Sequence, residues 1–367
     1  MEFTPNIYID NNIIHDICTY NTLDEYYLIK AQKYYYTVEY FNIYLEEILQ
    51  KEYNCGDFII IDSNVQKYYI NIDKSNISKS PYTYYIFNAN EENKTMSSVL
   101  DIIDKMGNFT KKNKIIVIGG GITQDVGGFA AAIYKRGVDW ILIPTTLLAI
   151  TDSCIGGKVG VNHGSKNMVG LFSAPKKVII SDKFLDTLDH DMIMSGLGEA
   201  LKLALIGGES TYNYFKLNML SKNYNNIIKM GIVVKKIIIE KDEFEKYERK
   251  VLNYGHTIGH ALEATTNYLI PHGIAVLIGM YLINNIFDNE LDIDINYTIY
   301  NLIDKKYLQI NIDKQNLVKH ILNDKKNDGD NICFIVLKSL GKTEITYHNI
   351  LTIKYKLYLA INNLFKK

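Results

Sequence analysis

Two histidines stand four residues apart in Asn253-Tyr-Gly-His-Thr-Ile-Gly-His260, and a third, His272, follows within Ile270-Pro-His-Gly273. Three imidazoles so closely set among glycines point to a metal site more than to scattered core histidines. On a helix, His256 and His260 would project from one face a turn apart, where both can reach one ion or one substrate. A zinc-peptidase helix needs a glutamate directly after its first histidine to act as base. Here that place is Thr257, which argues against peptide hydrolysis. A carboxylate that could join such a site lies upstream, where Gly198-Glu-Ala-Leu-Lys202 sets Glu199 and Lys202 three apart on one helix face. The flanking residues Leu197, Ala200, Leu201, Leu203, Ala204 and Leu205 are apolar. A carboxylate in that company is usually paired with a cation or coordinates a metal. Between these motifs, Asp242-Glu-Phe-Glu245 precedes Arg249 and Asn253.

A second group of residues points to a nucleotide. Lys114-Ile-Ile-Val-Ile118 reads as a buried strand that runs straight into Gly119-Gly-Gly-Ile-Thr-Gln-Asp125 and a small-residue helix from Val126 to Tyr134. Strand, glycine turn and helix bring backbone N–H groups and a positive helix end to a diphosphate. The dinucleotide fingerprint is incomplete, because Gln124 stands where its third glycine would be, and a Walker pattern is absent. Other strands end on polar residues, which is where open α/β sheets bind ligands. Asp57-Phe-Ile-Ile-Ile-Asp62 closes on Asp62-Ser-Asn64, Tyr84-Tyr-Ile-Phe-Asn88 leads to Glu91 and Lys94, and Asp139-Trp-Ile-Leu-Ile143 ends at Pro144-Thr-Thr146. Turn chemistry is an equal reading for Asp62 and Asn64, and Glu91 and Lys94 could be ordinary first-turn helix residues. Asp152-Ser-Cys-Ile-Gly-Gly-Lys158 lets Lys158 approach an anion closely, and the loop Asn162-His-Gly-Ser-Lys-Asn167 adds Lys166. Such polar density without periodicity suggests a site more than a linker.

These residues need two kinds of scaffold. Residues 1–60 include a mixed polar and aromatic segment, and strands then alternate with helices as far as Val178-Ile-Ile180 and the segment Phe184-Leu-Asp-Thr187. Beyond it, apolar spacing turns helical almost to the end, with a long helix from about Tyr224 through Glu240 that carries Lys235. The expectation is an α/β N-terminal nucleotide-binding domain over 1–189 and an all-α C-terminal metal- and substrate-binding domain over 190–367. A chain of 367 residues is long enough for two such cores. A hydrophobic content of 47% with 22% charged residues describes an ordinary globular protein. The formal net charge of -1, with the signs interspersed, gives no field to gather nucleic acid or an anionic membrane, so any anion must be bound locally. No apolar run reaches membrane-spanning length, and Met1-Glu-Phe-Thr-Pro-Asn6 lacks the layout of a secretory signal, so a cytoplasmic protein is expected. Cys18, Cys55, Cys154 and Cys333 are far apart and read as free thiols.

With these motifs in order, the chain resembles the dehydroquinate synthase family and the wider sugar phosphate cyclases. The resemblance runs from about Asp62 to Lys326. It rests on Gly119-Gly-Gly-x-x-x-Asp125, Pro144-Thr-Thr-Leu-Leu-Ala149, Asp152-Ser-x-x-Gly-Gly-Lys158, Arg249-x-x-Leu-Asn-x-Gly-His-Thr-x-Gly-His260 and His272-Gly273. Each motif is weak alone and the set is specific. The resemblance implies a dehydroquinate synthase-like fold whose N-terminal domain holds NAD. The implied NAD contacts are Asp62, Asn64, Glu91, Lys94, Gly120, Gly121, Ile122, Asp125, Thr145, Thr146, Asp152, Lys158, Lys166, Phe184 and Thr187. It makes Glu199, His256 and His272 the ligands of zinc, or of cobalt in its place, so that His260 passes from the metal to the substrate. Lys158, Asn167, Lys202, Lys235, Arg249, Asn253, His260 and Lys326 become substrate contacts. Arg136 matches an arginine that reaches the neighbouring subunit's phosphate site, which implies a homodimer.

The implied activity is that of a phosphate-eliminating carbon-oxygen lyase of the shikimate pathway acting on a seven-carbon sugar acid phosphate. One hydroxyl is oxidised, phosphate leaves, the carbonyl is reduced again, and the ring opens and closes by aldol addition with NAD regenerated. Zinc would polarise the hydroxyl and hold the carbonyl formed. Arg136, Lys202, His260 and Lys326 would hold the leaving phosphate, while Lys158 and Arg249 pair with the carboxylate. The sequence departs from the family at Gln124, at Tyr247 and Ile274, which replace a glycine and a glutamate, and in the loop Asn162 to Asn167, one residue short and without its Pro-Leu. Three alternatives stand beside this reading. A cyclase for carboxylate-free sugars tends to lose the counterparts of Arg249 and Asn253, and both are present here. A metal-dependent glycerol dehydrogenase relative would make net NADH. A non-catalytic NAD-binding protein would have little use for an intact set of metal ligands.

Overall fold

The runs Phe58–Asp62, Ile115–Gly119 and Trp140–Pro144 are buried at every position. Continuous apolar strands of this kind belong inside a sheet covered on both faces. In the computed structural model, which describes residues 2–15, 19–21, 24–70, 82–287, 293–322 and 331–365, they form the centre of a seven-stranded sheet. Across the sheet the order is Tyr26–Lys30, Tyr35–Phe41, Lys177–Ser181, Trp140–Pro144, Ile115–Gly119, Phe58–Asp62 and Thr83–Phe87. Six strands are parallel, and the edge strand Tyr26–Lys30 runs antiparallel to its neighbour. From Phe58–Asp62 the chain moves outward to Thr83–Phe87, then returns through the helix Met96–Lys105 to Ile115–Gly119 on the other side. The direction of winding therefore reverses between Phe58–Asp62 and Ile115–Gly119, whose carboxyl ends flank the crevice where open α/β sheets bind ligands.

The glycine turn delivers the helix Gly121–Ile133 onto this sheet. Gly127 and Gly128 let it lie close: a Cβ on Gly127 would meet the Val117 methyls at 2.8 Å, and one on Gly128 would meet Val159 at 2.6 Å. Close helix–sheet contact is the task of the fingerprint's third glycine. Here it falls to this later pair. Gln124 instead ties down the next turn, its Nε2 donating to Ser153 O at 2.7 Å and its Oε1 accepting from Ser153 Oγ at 2.9 Å.

The chain divides into two compact units, Leu23–Asp189, and Met1–Thr22 with His190–Lys367. The first residues thus leave the span 1–189 expected for the α/β domain. The strand Ile7–Ile9 pairs in parallel with Lys342–Asn349, with Tyr8 opposite Lys342 and Ile9 opposite Thr343. The second unit is helical as expected, led by His190–Gly207, Tyr224–Lys241, His256–Thr265 and His272–Ile286. It also carries a four-stranded sheet that helical periodicity did not foretell, in the order Asn331–Ser339, Lys342–Asn349, Ile7–Ile9, Asn12–His15.

Candidate functional site

In the helical unit three helices meet where glycines let their backbones touch. A Cβ on Gly198 would lie 2.4 Å from Gly273 O, and one on Gly273 would lie 1.8 Å from Ser195 O. On the far side, Gly279 crosses Gly255 with only 2.0 Å between a built Cβ and Gly255 O. Gly255, at φ 81°, also turns the chain into the helix His256–Thr265. The residues beside these glycines are Glu199, His272 and His256. Small-residue contacts therefore bring the three expected metal ligands together from separate helices.

His256 Nε2 is 3.4 Å and His272 Nε2 is 3.2 Å from Glu199 Oε1. Among the described residues neither Glu199 oxygen has an aligned hydrogen bond, although the residue is fully buried and Lys202 Nζ stands 2.5 Å from Oε2. Both histidines are oriented from behind. His256 Nδ1 is 3.1 Å from Tyr254 O, and His272 Nδ1 is 3.0 Å from Glu263 Oε2. A carbonyl and a carboxylate oxygen accept, so each Nδ1 carries the proton and each Nε2 keeps a lone pair directed at Glu199. Two bare imidazole nitrogens around a buried carboxylate oxygen fit a divalent cation, and outer hydrogen bonds of this type fix ligand histidines in metal sites. His260 belongs to the same cluster, its ligand-capable nitrogen lying within 4.8 Å of those of His256 and His272. Geometry alone does not separate His260 from the ligands, so its substrate role rests on the family resemblance.

Glu199, Lys202 and His256 are buried, so their charges act with little screening by solvent. Burial works to raise the Glu199 carboxyl, but Lys202 and then His256 outweigh it and hold it well below the usual carboxylate range. Burial lowers His256, against the opposing pull of Glu199. Lys202, Lys235 and Arg249 are 1%, 5% and 3% exposed. Cations are rarely buried so fully unless something anionic is to meet them. Arg249 and Asn253 lie on the 3-10 segment Glu248–Asn253, which leads through Gly255 into His256. The Arg249 guanidinium donates to Glu243 O, and Asn253 Nδ2 donates to Glu245 Oε1 at 2.6 Å. Lys326 lies outside the described residues.

The α/β unit gathers most of the residues assigned to the nucleotide. Asp62 closes its strand and caps the following helix, accepting the Asn64 N–H at 2.8 Å. Thr123 Oγ1 reaches Asp62 Oδ2 across the reversal point at 3.4 Å. Burial raises the Asp62 carboxyl, opposed first by the Asn64 N–H. Gly120 is the N-cap of the helix that holds Gly121, Ile122 and Asp125, and a Cβ on Gly120 would stand 2.9 Å from the Thr146 methyl. Thr145 N–H donates to Gly119 O at 3.0 Å, so the ends of both strands are bonded together.

Beside them, Lys94 is buried and bonds Asp125 Oδ2 at 2.5 Å and Asn167 Oδ1 at 2.6 Å. Asn162 Nδ2 donates to Glu91 Oε1 at 2.9 Å and Asn162 Oδ1 accepts the Asn167 N–H at 2.9 Å. The antiparallel hairpin Lys158–His163 and Ser165–Phe172, which carries Lys158, Lys166 and Asn167, is thus anchored to Glu91 and Lys94. Asp152 lies on a π-helical turn, Ala149–Ser153. Phe184 is a core residue 1% exposed, with its ring 5.1 Å from that of Tyr69, and Tyr69 OH is 2.8 Å from Thr187 Oγ1. Arg136 is exposed with φ 66°, past the end of the helix Gly121–Ile133. A helix of that length spans about 20 Å, so Arg136 stands far from the glycine turn of its own unit.

Sequence reasoning missed Glu263, the carboxylate behind His272. Its signal was available, since His256, His260 and Glu263 follow at four and then three residues and share one helix face.

The fold, a doubly wound sheet with a crevice at its reversal point and a helical unit holding a carboxylate–histidine cluster, is similar to that of solved sugar phosphate cyclases. The solved structure of 2-deoxy-scyllo-inosose synthase complexed with carbaglucose-6-phosphate, NAD+ and Co2+ superposes with a TM-score of 0.74 at 26% identity, covering 92% of this chain and 99% of that one. Residues 84–195 match the family described as 3-dehydroquinate synthase N-terminal, and residues 196–327 match 3-dehydroquinate synthase C-terminal. The 3-dehydroquinate synthase of Clostridium tetani is 36% identical over 330 residues, 83% of this chain and 88% of that protein. That of Alkaliphilus metalliredigens is 39% identical over 302 residues, 78% and 85% of the two chains. The chain belongs to the 3-dehydroquinate synthase family.

Proposed function

We propose that this enzyme is a 3-dehydroquinate synthase, a carbon-oxygen lyase that converts 3-deoxy-D-arabino-heptulosonate 7-phosphate to 3-dehydroquinate and phosphate. The observation that carries the reading is the convergence of His256 Nε2 and His272 Nε2 on buried Glu199, in a chain of this family. Glu199, His256 and His272 would hold zinc, or cobalt in its place, and the residues around Asp62 and Gly120 would hold NAD. When bound, the metal supplies Lewis-acid polarisation of a hydroxyl and NAD a reversible hydride acceptor.

The remaining steps fall to side chains. Arg249, with Asn253 on the same 3-10 segment, receives the substrate carboxylate; the fork of an arginine matches that group. Lys202, buried beside Glu199, orients the substrate oxygens and offsets negative charge as phosphate departs. His260, whose ring stacks at 5.5 Å on that of His272, moves a proton at its imidazole nitrogen. Lys235 and Lys326 complete the set of cations. Arg136 acts on the phosphate site of a neighbouring copy, in a homodimer. No described helix is long and apolar enough to cross a membrane, and the protein works in the cytoplasm on a small-molecule sugar acid phosphate, without nucleic acid.

A second reading, a cyclase for a neutral sugar phosphate, is favoured by the likeness to 2-deoxy-scyllo-inosose synthase. Phosphate release measured against a panel of sugar phosphates decides between them. The proposal expects release from the seven-carbon acid phosphate with only catalytic NAD and no net NADH. Release from glucose 6-phosphate or sedoheptulose 7-phosphate in preference would replace it with the second reading.

A further inference from the structure

The segment between the helix Tyr224–Lys241 and Glu248–Asn253 is built around one buried carboxylate. Asp242 is 4% exposed. Its Oδ1 accepts the N–H of Lys246 at 3.0 Å, and its Oδ2 accepts those of Tyr247 at 2.7 Å and Arg249 at 3.1 Å. To bring three amides onto one side chain the backbone must fold back sharply, and Glu245 takes φ 58° in doing so. Inside the fold, Glu243 O accepts from the Arg249 guanidinium and Glu245 Oε1 accepts from Asn253. Outside it, Tyr247 OH bonds Asp10 Oδ2, and Asp10 Oδ1 accepts the Ile345 N–H at 2.9 Å. Tyr247 thereby ties the segment to the four-stranded sheet.

Helix termination alone does not account for this aspartate. Its own N–H closes the last turn on Ile238 O at 3.0 Å, and any residue could do that. Asp242 is the C-cap of an eighteen-residue helix, at its negative end, where an acidic side chain is disfavoured. What offsets that cost is the set of charge-assisted bonds to Lys246, Tyr247 and Arg249. Each of them fixes the backbone that carries Arg249.

We propose that Asp242 is a positioning residue: by folding residues 242–249 around its carboxylate, it holds Arg249 and Asn253 ready to receive the carboxylate of the acid phosphate. The inference rests on the substrate role given to Arg249 above. A receptor set in place before the substrate arrives loses less on binding than one that must be ordered by it.

The test compares Asp242→Asn, Asp242→Ala, Arg249→Ala and the double variants of the full chain, supplied with zinc and NAD. Asp242→Ala lowers kcat/KM for the acid phosphate about 100-fold, the scale of an ångström's misplacement in a site. Asp242→Asn, which keeps one acceptor oxygen, falls between it and the unmodified chain. Amide hydrogen exchange at Lys246, Tyr247 and Arg249 quickens in both, while zinc content and NAD titration are unchanged. Combined with Arg249→Ala, either change adds no further loss, because it acts through that residue. Normal kcat/KM in Asp242→Asn with quickened exchange, or losses that add in the double variant, overturns the inference. Should Asp242→Ala fail to fold, Asp242→Asn and its double variant decide alone. If Arg249→Ala itself leaves turnover intact, the assignment of Arg249 falls and takes this inference with it. Impaired Arg249→Ala beside a normal Asp242→Asn removes only the role of Asp242.

Discussion

Glu263 Oε2 lies 3.0 Å from His272 Nδ1, on the side of the ring away from Glu199. It is a buried carboxylate, 3% exposed, one helix face along from His256 and His260. The bond fixes the tautomer of His272 and makes its Nε2 the better donor. Outer partners of this kind are worth 10–100-fold in metal affinity. Glu263→Ala is therefore expected to weaken zinc binding by about that factor in a chelator competition, with Glu263→Gln affected less because an amide oxygen still accepts. Equal zinc affinity in all three proteins would remove Glu263 from the candidate metal site.

His256→Ala and His272→Ala are expected to lose zinc and activity together, since three protein ligands leave no reserve. His260→Ala is expected to keep the metal and lose turnover. The comparison matters because the His260 ring lies 5.2 Å from that of His256 and 5.5 Å from that of His272, which are themselves 5.4 Å apart. Metal analysis that finds zinc lost equally from all three variants contradicts the division of roles.

Gly273→Ala tests how the centre is assembled. A Cβ there would lie 1.8 Å from Ser195 O, a backbone atom that cannot swing aside. The helices His190–Gly207 and His272–Ile286 would have to part, carrying Glu199 from His272. Overpacking of this kind costs about 1–3 kcal/mol or more. The thermal midpoint and zinc retention are expected to fall together, and a variant that keeps both would show the contact to be slack.

In the α/β unit, Gly120→Val places a branched side chain against the Thr146 methyl, already 2.9 Å from a bare Cβ. Titration of the variant with NAD is expected to show binding weaker by about 2 kcal/mol, through lost backbone contact and strain. Unaltered titration would make the glycine turn purely structural.

The sheet that frames this turn was legible because residues 58–61, 115–118 and 140–143 are apolar throughout and bounded by polar, glycine or proline residues. The strand Tyr35–Phe41 was not, although it alternates: Tyr36, Val38 and Tyr40 are buried, while Tyr35 is 64% exposed. Tyrosine stands on both faces and hides the period. Asn331–Ser339 was hidden for the opposite reason. Its run Ile332 to Leu337 is buried at every position, and periodicity cannot tell such a run from a buried helix. The first residues were assigned to the wrong unit because pairing of Ile7–Ile9 with Lys342–Asn349 spans almost the whole chain, and no local pattern encodes so distant a partner. At the candidate metal cluster the residue types were legible and the division of labour was not. Histidine spacing shows that His256 and His260 share a face, whereas the three-dimensional approach of Gly198 to Gly273 and of Gly279 to Gly255 brings Glu199 and His272 to them.

Substrate identity rests on Arg249, buried at 3% exposure on the segment that leads into His256. Breaking one partner of a buried ion pair costs roughly 3–5 kcal/mol, so an acid bound there should depend steeply on this side chain. The decisive measurement is kcat/KM for 3-deoxy-D-arabino-heptulosonate 7-phosphate, glucose 6-phosphate and sedoheptulose 7-phosphate, with and without Arg249→Ala. The expected result is strong preference for the acid phosphate, lost on substitution while zinc and NAD binding persist. Preference for either neutral sugar phosphate, or an acid indifferent to the loss of Arg249, would contradict the account.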